Sequence, residues 1–479
     1  MNERDDGLFG ALENDGSGLA PPDGSTAGLT AGLTAGSTAG SSHTARAVRP
    51  RERRVARTAD TTPDAAPQTD LFGFVPPEPP PRRAKVSDAP TDLTEGEHAQ
   101  KPKPAKPAPS SETGDTPAPK RRARGVLPAE LAQDVLDLGA ELPAGVRLGT
   151  SSWSFPGWRG LVYGDDYSNS KLARDGLAAY GAHPLLRSVS IDRSFYAPLT
   201  VTDYLRYAQQ VPDHFRFIVK APALITDASV RGDRGEPVST NPCFLNPELA
   251  AREFVEPCLA GLGAKAGALV FQFPPLPDQL LADPAVFVER LAAFLAALPP
   301  LPAPAADAAP GDATCYAVEI RDGILLTPRF VRMLRAAGVR YCVGLHARMP
   351  DPLRQAAALA LMDGEAPAGP LIVRWSLHSG FKYEQAKARY EPFDKLVDED
   401  PHTRDALAEL AARYAIAGQP VLITTNNKAE GSAPLTCQKL ARAIADEVQR
   451  LRAEAAESAE SAESAESAES SESADSAAQ

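Results

Sequence analysis

Eight polar residues stand at the ends of eight short apolar runs: Ser151, Asp192, Lys220, Gln272, Glu319, His346, Arg374 and Asn426. Brought together, they would offer carboxylates, an amine, a guanidinium and amides, a set suited to moving protons on an anionic ligand. Glu319 is the first acid/base candidate, because a buried carboxylate has its pKa set by desolvation against neighbouring cations. The alternative is a structural ion pair to Arg321 or Arg374. Lys220 and Asp192 complete the catalytic candidates, and a desolvated Lys220 would also suit Schiff-base chemistry. For binding a phosphate or carboxylate, Arg321, Arg374 and Lys428 supply positive charge. Ser151, Gln272, Asn426 and Asn427 supply hydroxyl and amide groups, and His378 and Glu430 border the same ends. The competing reading is that these cations only balance Glu319, Asp192, Asp322 and Glu430. Trp153, Phe155, Trp158, Phe195 and Tyr196 would stack on a ring-bearing ligand or close the core. His346, His378, Glu319 and Asp192 are the residues that would converge on a metal, yet the chain has no HxH or HExxH spacing. No metal and no cofactor are assigned.

The runs that carry these residues are VRLGTSS, LRSVSIDRSFY, FRFIVK, GALVFQF, TCYAVEI, VRYCVGLH, PLIVRWS and PVLITTNN. They are rich in Val, Ile, Phe and Tyr and bounded by Pro, Gly or Asp, which reads as strands. Segments of helical spacing lie between them, some with clear starts such as Asn246-Pro247-Glu248-Leu249. Eight strand–helix alternations predict an α/β fold, a TIM-like (β/α)8 barrel, whose active site belongs at the carboxyl ends of the strands. Neighbouring strand residues face opposite ways. Glu319 and Arg321 therefore share a face with Ala317, while Val318 and Ile320 take the other. Likewise Lys220 opposes Phe217 and Val219, Gln272 opposes Phe271, and Asn426 opposes Ile423. The bulky set should pack on helices, so the polar set points inward as a ring.

Length and composition set the frame. The 479 residues hold one barrel of roughly 250–300 residues plus extensions. A net charge of −12 argues against nucleic-acid binding by the barrel. Five cysteines without CxxC spacing suit reduced thiols in a cytoplasmic protein. No secretory or membrane-spanning segment is expected, because the longest apolar stretch, 287–309, is broken by prolines. Residues 1–125 form a Pro/Ala/Gly-rich arm with basic clusters at 46–57 and 101–124, expected to be disordered. A linker or short helix should occupy 126–145, the barrel 146–452, and an acidic low-complexity tail 453–479. That tail, with an acid at every third position, is expected to be frayed and solvated. Loops 227–245 and 377–400 interrupt the barrel rhythm, and the second carries Lys382, Tyr383, Lys387, Arg389 and Tyr390, suited to covering a charged ligand. Within the arm, Gln68, Asp70, Leu71 and Phe72 resemble the short peptide that binds the bacterial DNA sliding clamp.

The strand ends carry a second resemblance. GTSSW at 149–153 with Trp158 and Tyr163, SFY at 194–196, KAP at 220–222, FQFPP at 271–275, VEIRD at 318–322 and NNKAEG at 426–431 resemble the domain of unknown function 72 (YecE-like) family. The likeness spans about 145–450 in order. It implies a TIM-like barrel and supplies no reaction. Two departures stand out. The family's Glu-Ile-Asn-Ser run is here Ser190, Ile191, Asp192 and Arg193, so any chemistry of that Glu is missing or moves to Asp192. Its Arg-x-His-Gly run is here Arg374-Trp375-Ser376-Leu377-His378, which shifts the histidine. The expected function is a hydrolase, lyase or isomerase acting on an anionic small molecule. The alternatives are a metal-dependent hydrolase or nuclease of DNA maintenance, and a binding barrel without catalysis.

Overall fold

A computed structural model describes residues 125–232, 235–304, 313–378, 381 and 383–477, with backbone alone at 383 and 462–477. The arm that precedes them, including the clamp-like peptide at Gln68, Asp70, Leu71 and Phe72, lies outside the described residues, as does Lys382.

Each apolar run forms a strand: β1 (Val146–Thr150), β2 (Leu186–Ile191), β3 (Arg216–Lys220), β6 (Ala266–Gln272), β7 (Cys315–Glu319), β8 (Arg340–Leu345), β9 (Leu371–Trp375) and β10 (Val421–Thr425). These eight pair in parallel and in chain order, and β1 meets β10 from Val146↔Val421 to Thr150↔Thr425, closing the barrel. Two more strands, β4 (Ser229–Arg231) and β5 (Pro237–Thr240), make an antiparallel hairpin inside the 227–245 loop. The second long loop holds a helix, Tyr383–Tyr390.

The helices start where the chemistry of their first residues dictates. Asn246, Thr327, Asp351 and Asp400 each accept a backbone N–H from the first turn, and each is followed by a proline at the first helical position. The start expected at Asn246 is among them, its side chain 2.8 Å from the Leu249 amide.

Strand alternation sorts the core in two. Val189, Ile191, Phe217, Val219, Leu269, Phe271, Val318 and Ile423 join the large apolar cluster beneath the helices. Ile218, Ala268, Val270, Ala317, Cys342, Ile372 and Leu422 form a separate cluster inside the barrel. The inner residues are small or slender, which lets eight strands close around a filled interior. Above that plug, the inward positions turn polar.

Ahead of β1, a helix occupies Gln133–Glu141. The segment before it lies along the barrel, with the Ala129 amide donating to the Val162 carbonyl at 3.0 Å. The last helix runs from Ala433 to Ala477 and takes in the acidic repeat. Alanine and glutamate propensity prevails there over repulsion between acids three apart. Residues 452–461 are exposed. Among the described residues no helix is long and apolar enough to cross a membrane.

Candidate active site

The inward polar residues meet at the carboxyl ends of the strands. Glu319 ends β7 and is fully buried. One of its oxygens accepts from Arg374 Nη1 at 2.7 Å, and the other lies 2.6 Å from Arg321 Nη2. Arg374 then reaches across the barrel with Nη2, 2.7 Å from both oxygens of Asp192. Ser190 Oγ donates to Asp192 at 2.6 Å, and Arg321 donates to Ser376 Oγ at 3.2 Å. This chain of contacts links β2, β7 and β9.

Geometry in the strands explains the long reach. Gly344 on β8 stands in register with Arg374 on β9, between it and Glu319 on β7. A Cβ on Gly344 would lie 3.0 Å from both Cγ and Oε1 of Glu319. The glycine leaves the gap through which Glu319 passes to its partner two strands away.

Burial alone would raise the pKa of Glu319. Arg321 and Arg374 reverse that effect and hold the carboxyl below its ordinary value. Burial works against the charge of Arg374 too, but Asp192 and Glu319 together raise its pKa overall. Both residues are thereby fixed as ions. A carboxylate clamped in this way is a poor proton acceptor, and its geometry is that of a scaffold.

Lys220 differs. It ends β3, only 5 % of it is exposed, and among the described residues its side-chain amine has no hydrogen bond or ion pair. Its Nζ lies 3.4 Å from the centroid of the Phe195 ring. Burial lowers its pKa to about 7, with Arg374 and Arg321 pulling the same way and Asp192 and Glu319 opposing. Gln272, on the neighbouring strand β6, is also buried and its amide has no protein partner among the described residues. Asn426 caps the short helix Asn427–Glu430 by accepting from the Lys428 amide at 3.0 Å. Burial lowers the pKa of Lys428 to about 8, helped by Lys387, and its Nζ lies 5.7 Å from the Phe393 ring centroid. The His378 amide donates to the Lys428 carbonyl, so the shifted histidine lies beside the short helix that follows β10. His346 is pushed down to about 4 by burial and then by Arg321, which leaves it neutral near neutral pH.

Other expected site residues face different work. Trp153 is buried, donates from Nε1 to the Leu172 carbonyl at 3.1 Å and packs edge-on to Tyr207 at 5.1 Å. It belongs to the core, as does Trp158, whose Nε1 donates to Asn427 Oδ1. Asn427 accepts the Ala433 amide with the same oxygen and so braces the start of the last helix. Glu430 accepts from Arg404 Nη2 at 2.6 Å and from the Asp400 amide at 2.7 Å, turned toward the strap at 391–400. Ser151 donates to the Thr425 carbonyl at 3.2 Å, tying β1 to β10. Tyr196 is half exposed beside Phe195. Tyr390 is buried with Leu377, Ala386 and Phe393, and Arg389 pairs with Asp398, so both hold the strap rather than an open surface. Ser190 and Ser376 entered the sequence reading only as departures from the family's runs, with no role given to them, and Gly344 did not enter it. The first two lie two residues from Asp192 and Arg374, and strand alternation would have found them. Among the described residues no three of His, Cys, Asp and Glu gather as a metal would need.

A closed parallel barrel with a charged mouth at its strand ends defines a TIM-like α/β barrel protein. The chain belongs to the family described as "Protein of unknown function DUF72", whose model matches residues 147–462. Solved family members include one from Enterococcus faecalis V583, 16 % identical, covering 62 % of this chain and 95 % of its own, with a TM-score of 0.41. Another, from Thermotoga maritima MSB8, is 17 % identical over 62 % of this chain and 98 % of its own, with a TM-score of 0.40. A methyltransferase from Methanosarcina mazei is similar at 10 % identity, covering 67 % of this chain and 98 % of its own, with a TM-score of 0.35. No curated protein matches the chain.

Proposed function

We propose that this barrel is an enzyme acting by acid/base chemistry on a small molecule that carries a phosphate or carboxylate. The observation that carries the reading is the pairing at the mouth. Lys220, Arg321 and Arg374 face the two carboxylates of Asp192 and Glu319, and those carboxylates are taken up by the arginines. A protonated Lys220 is left as a buried surplus charge, and an anionic ligand is its natural complement. In this reading Lys220 replaces Glu319 as the group that moves the proton, since a pKa of about 7 matches the operating pH. Gln272 and Asn426 orient the ligand, and Arg374 with Asp192 and Glu319 keeps the lysine end of the mouth rigid. The five unpaired cysteines support a reducing, cytoplasmic setting.

Thermal denaturation with inorganic phosphate and with a panel of phosphorylated and carboxylated metabolites tests this. At least one anion should raise Tm saturably, and Lys220→Met and Gln272→Leu should each weaken that rise. If no anion stabilises the protein, or the variants respond as the parent does, the reading fails. Stabilisation without turnover of the bound compound would leave a binding barrel.

A further inference from the structure

We propose that Lys220 forms an imine, its Nζ condensing with the carbonyl carbon of an anionic aldehyde or ketone held in the barrel mouth. This rests on the reading above, in which the mouth takes an anionic small molecule, and adds the electrophile.

An imine-forming lysine needs a lone pair that no carboxylate has claimed, a shielded position and a polar neighbour to receive the carbonyl oxygen. Lys220 meets the first condition because its competitors are diverted. Arg374 holds both oxygens of Asp192 and one of Glu319, and Arg321 holds the other. The contact left to Nζ is the face of Phe195, which attracts an ammonium far less than a carboxylate would. That ring is held in place by its own turn. Ser194 donates from Oγ to the carbonyls of Ile191 and Lys220, which pins the turn Arg193–Phe195 to the end of β3. The amine is thus fixed at a strand end, shielded, and unlocked.

With a pKa of about 7, Lys220 carries roughly a thousandfold more neutral amine at neutral pH than an ordinary lysine. The polar neighbour that could receive the carbonyl oxygen lies toward β6. Lys220 pairs in register with Val270, and Gln272 stands two residues further along the same inward face. Its unpartnered amide can hold the oxygen that the carbonyl becomes. The neutral amine attacks the carbonyl carbon, a C–N bond forms, and the oxygen takes up the proton released from nitrogen to give a carbinolamine. The C–O bond then breaks, the hydroxyl leaves as water with a second proton from nitrogen, and C=N remains. Amine and carbonyl become imine and water, with no change of oxidation state.

The test is borohydride trapping on the full chain. The protein is incubated separately with pyruvate, glyoxylate and dihydroxyacetone phosphate, reduced with sodium borohydride, and read by intact mass and peptide mapping. At least one probe should leave a single reduced adduct on Lys220, favoured by at least about tenfold over any other lysine. The adduct should vanish in Lys220→Met and in Lys220→Arg, the second keeping the charge should the first fold poorly. Absence of an adduct at Lys220 with all three probes, or labelling spread evenly over the lysines and unchanged in both variants, overturns the covalent step. The anion-binding reading is tested apart from it, by stabilisation with inorganic phosphate, which has no carbonyl. Phosphate binding without trapping sinks the imine alone.

Discussion

Glu319 and Lys220 sit in one mouth and meet opposite fates, and the difference is whether a partner of opposite charge is within reach. Glu319 has two guanidinium partners and no exposed surface. Glu319→Gln removes the charge that neutralises buried Arg374 and Arg321, so it should cost about 3–5 kcal/mol. Thermal denaturation should show a fall of roughly 5–10 °C, whereas an unchanged Tm would mean the arginines find water instead. Lys220 behaves the other way. Its pKa in the folded chain, about 7, lies below the ordinary 10.5, so between those values the unfolded chain binds a proton that the folded chain releases. Folding is penalised in full below pH 7, and the penalty fades as pH rises to 10.5. Lys220→Met should therefore stabilise the protein by about 4–5 kcal/mol at pH 6.5 and by almost nothing near pH 10.5. Urea denaturation at the two pH values measures this, and an equal gain at both would show that the methionine helps only by packing. The sequence displayed both residues as inward and polar. It did not display which of them was paired, because pairing across a barrel depends on side-chain reach over an intervening strand.

At the scale of elements, strand alternation carried the site and then ran out where the strands end. Alternation belongs to extended backbone, and it placed Asp192, Lys220, Gln272, Glu319, Arg374 and Asn426 on the inner side correctly. Past Asn426 the chain winds into the turn Asn427–Glu430, so Asn427 and Glu430 follow helical rather than alternating directions and leave the mouth. Trp153 fails for a similar reason, since the stretch after β1 is irregular and its ring turns under Leu172. Gly344 is the element-scale device that makes the Glu319–Arg374 contact possible. Gly344→Ala should push Glu319 off its partner and cost about 1–3 kcal/mol, the usual penalty for overpacking. Equilibrium unfolding measures it. A loss no larger than that of Gly125→Ala, where an added Cβ meets nothing within 4 Å, would show that the gap is not needed. On the far side of the mouth, Glu430 anchors the strap at 391–400 through its carboxylate and its backbone carbonyl, which accepts the Val397 amide at 2.8 Å. Glu430→Ala keeps the backbone contact and leaves Arg404 and the Asp400 amide without that carboxylate. Amide exchange in 397–400 should then quicken while exchange in β7 holds. Uniform quickening would mean the whole barrel had loosened.

For the molecule as a whole, eight apolar runs of similar length and eight helical intervals made the barrel legible, since a parallel sheet needs a crossover at every step. The hairpin β4–β5 was not legible, because its strands are short, largely exposed and lack an apolar face to announce them. The barrel's limits follow from where packing stops. At the front, Val126 and Leu131 pack on the core, the Leu127 amide donates to the Tyr167 hydroxyl at 3.0 Å, and Pro128 bridges to Tyr163. At the back, Val448 is buried and Leu451 packs on the core, after which residues 452–461 are exposed. A chain trimmed to 125–452 should therefore melt within ~2 °C of the full protein, because it keeps every one of these contacts. A chain trimmed to 133–452 loses Val126, Leu131 and three tethers to the segment 162–167. Burying two side chains in part is worth about 1–3 kcal/mol, so it should melt several degrees lower. Calorimetry of the three chains separates the cases. A large drop already at 125–452 would show that the Pro/Ala/Gly-rich arm or the acidic tail contributes to the fold, and equal melting of all three would show that the segment before Gln133 contributes nothing.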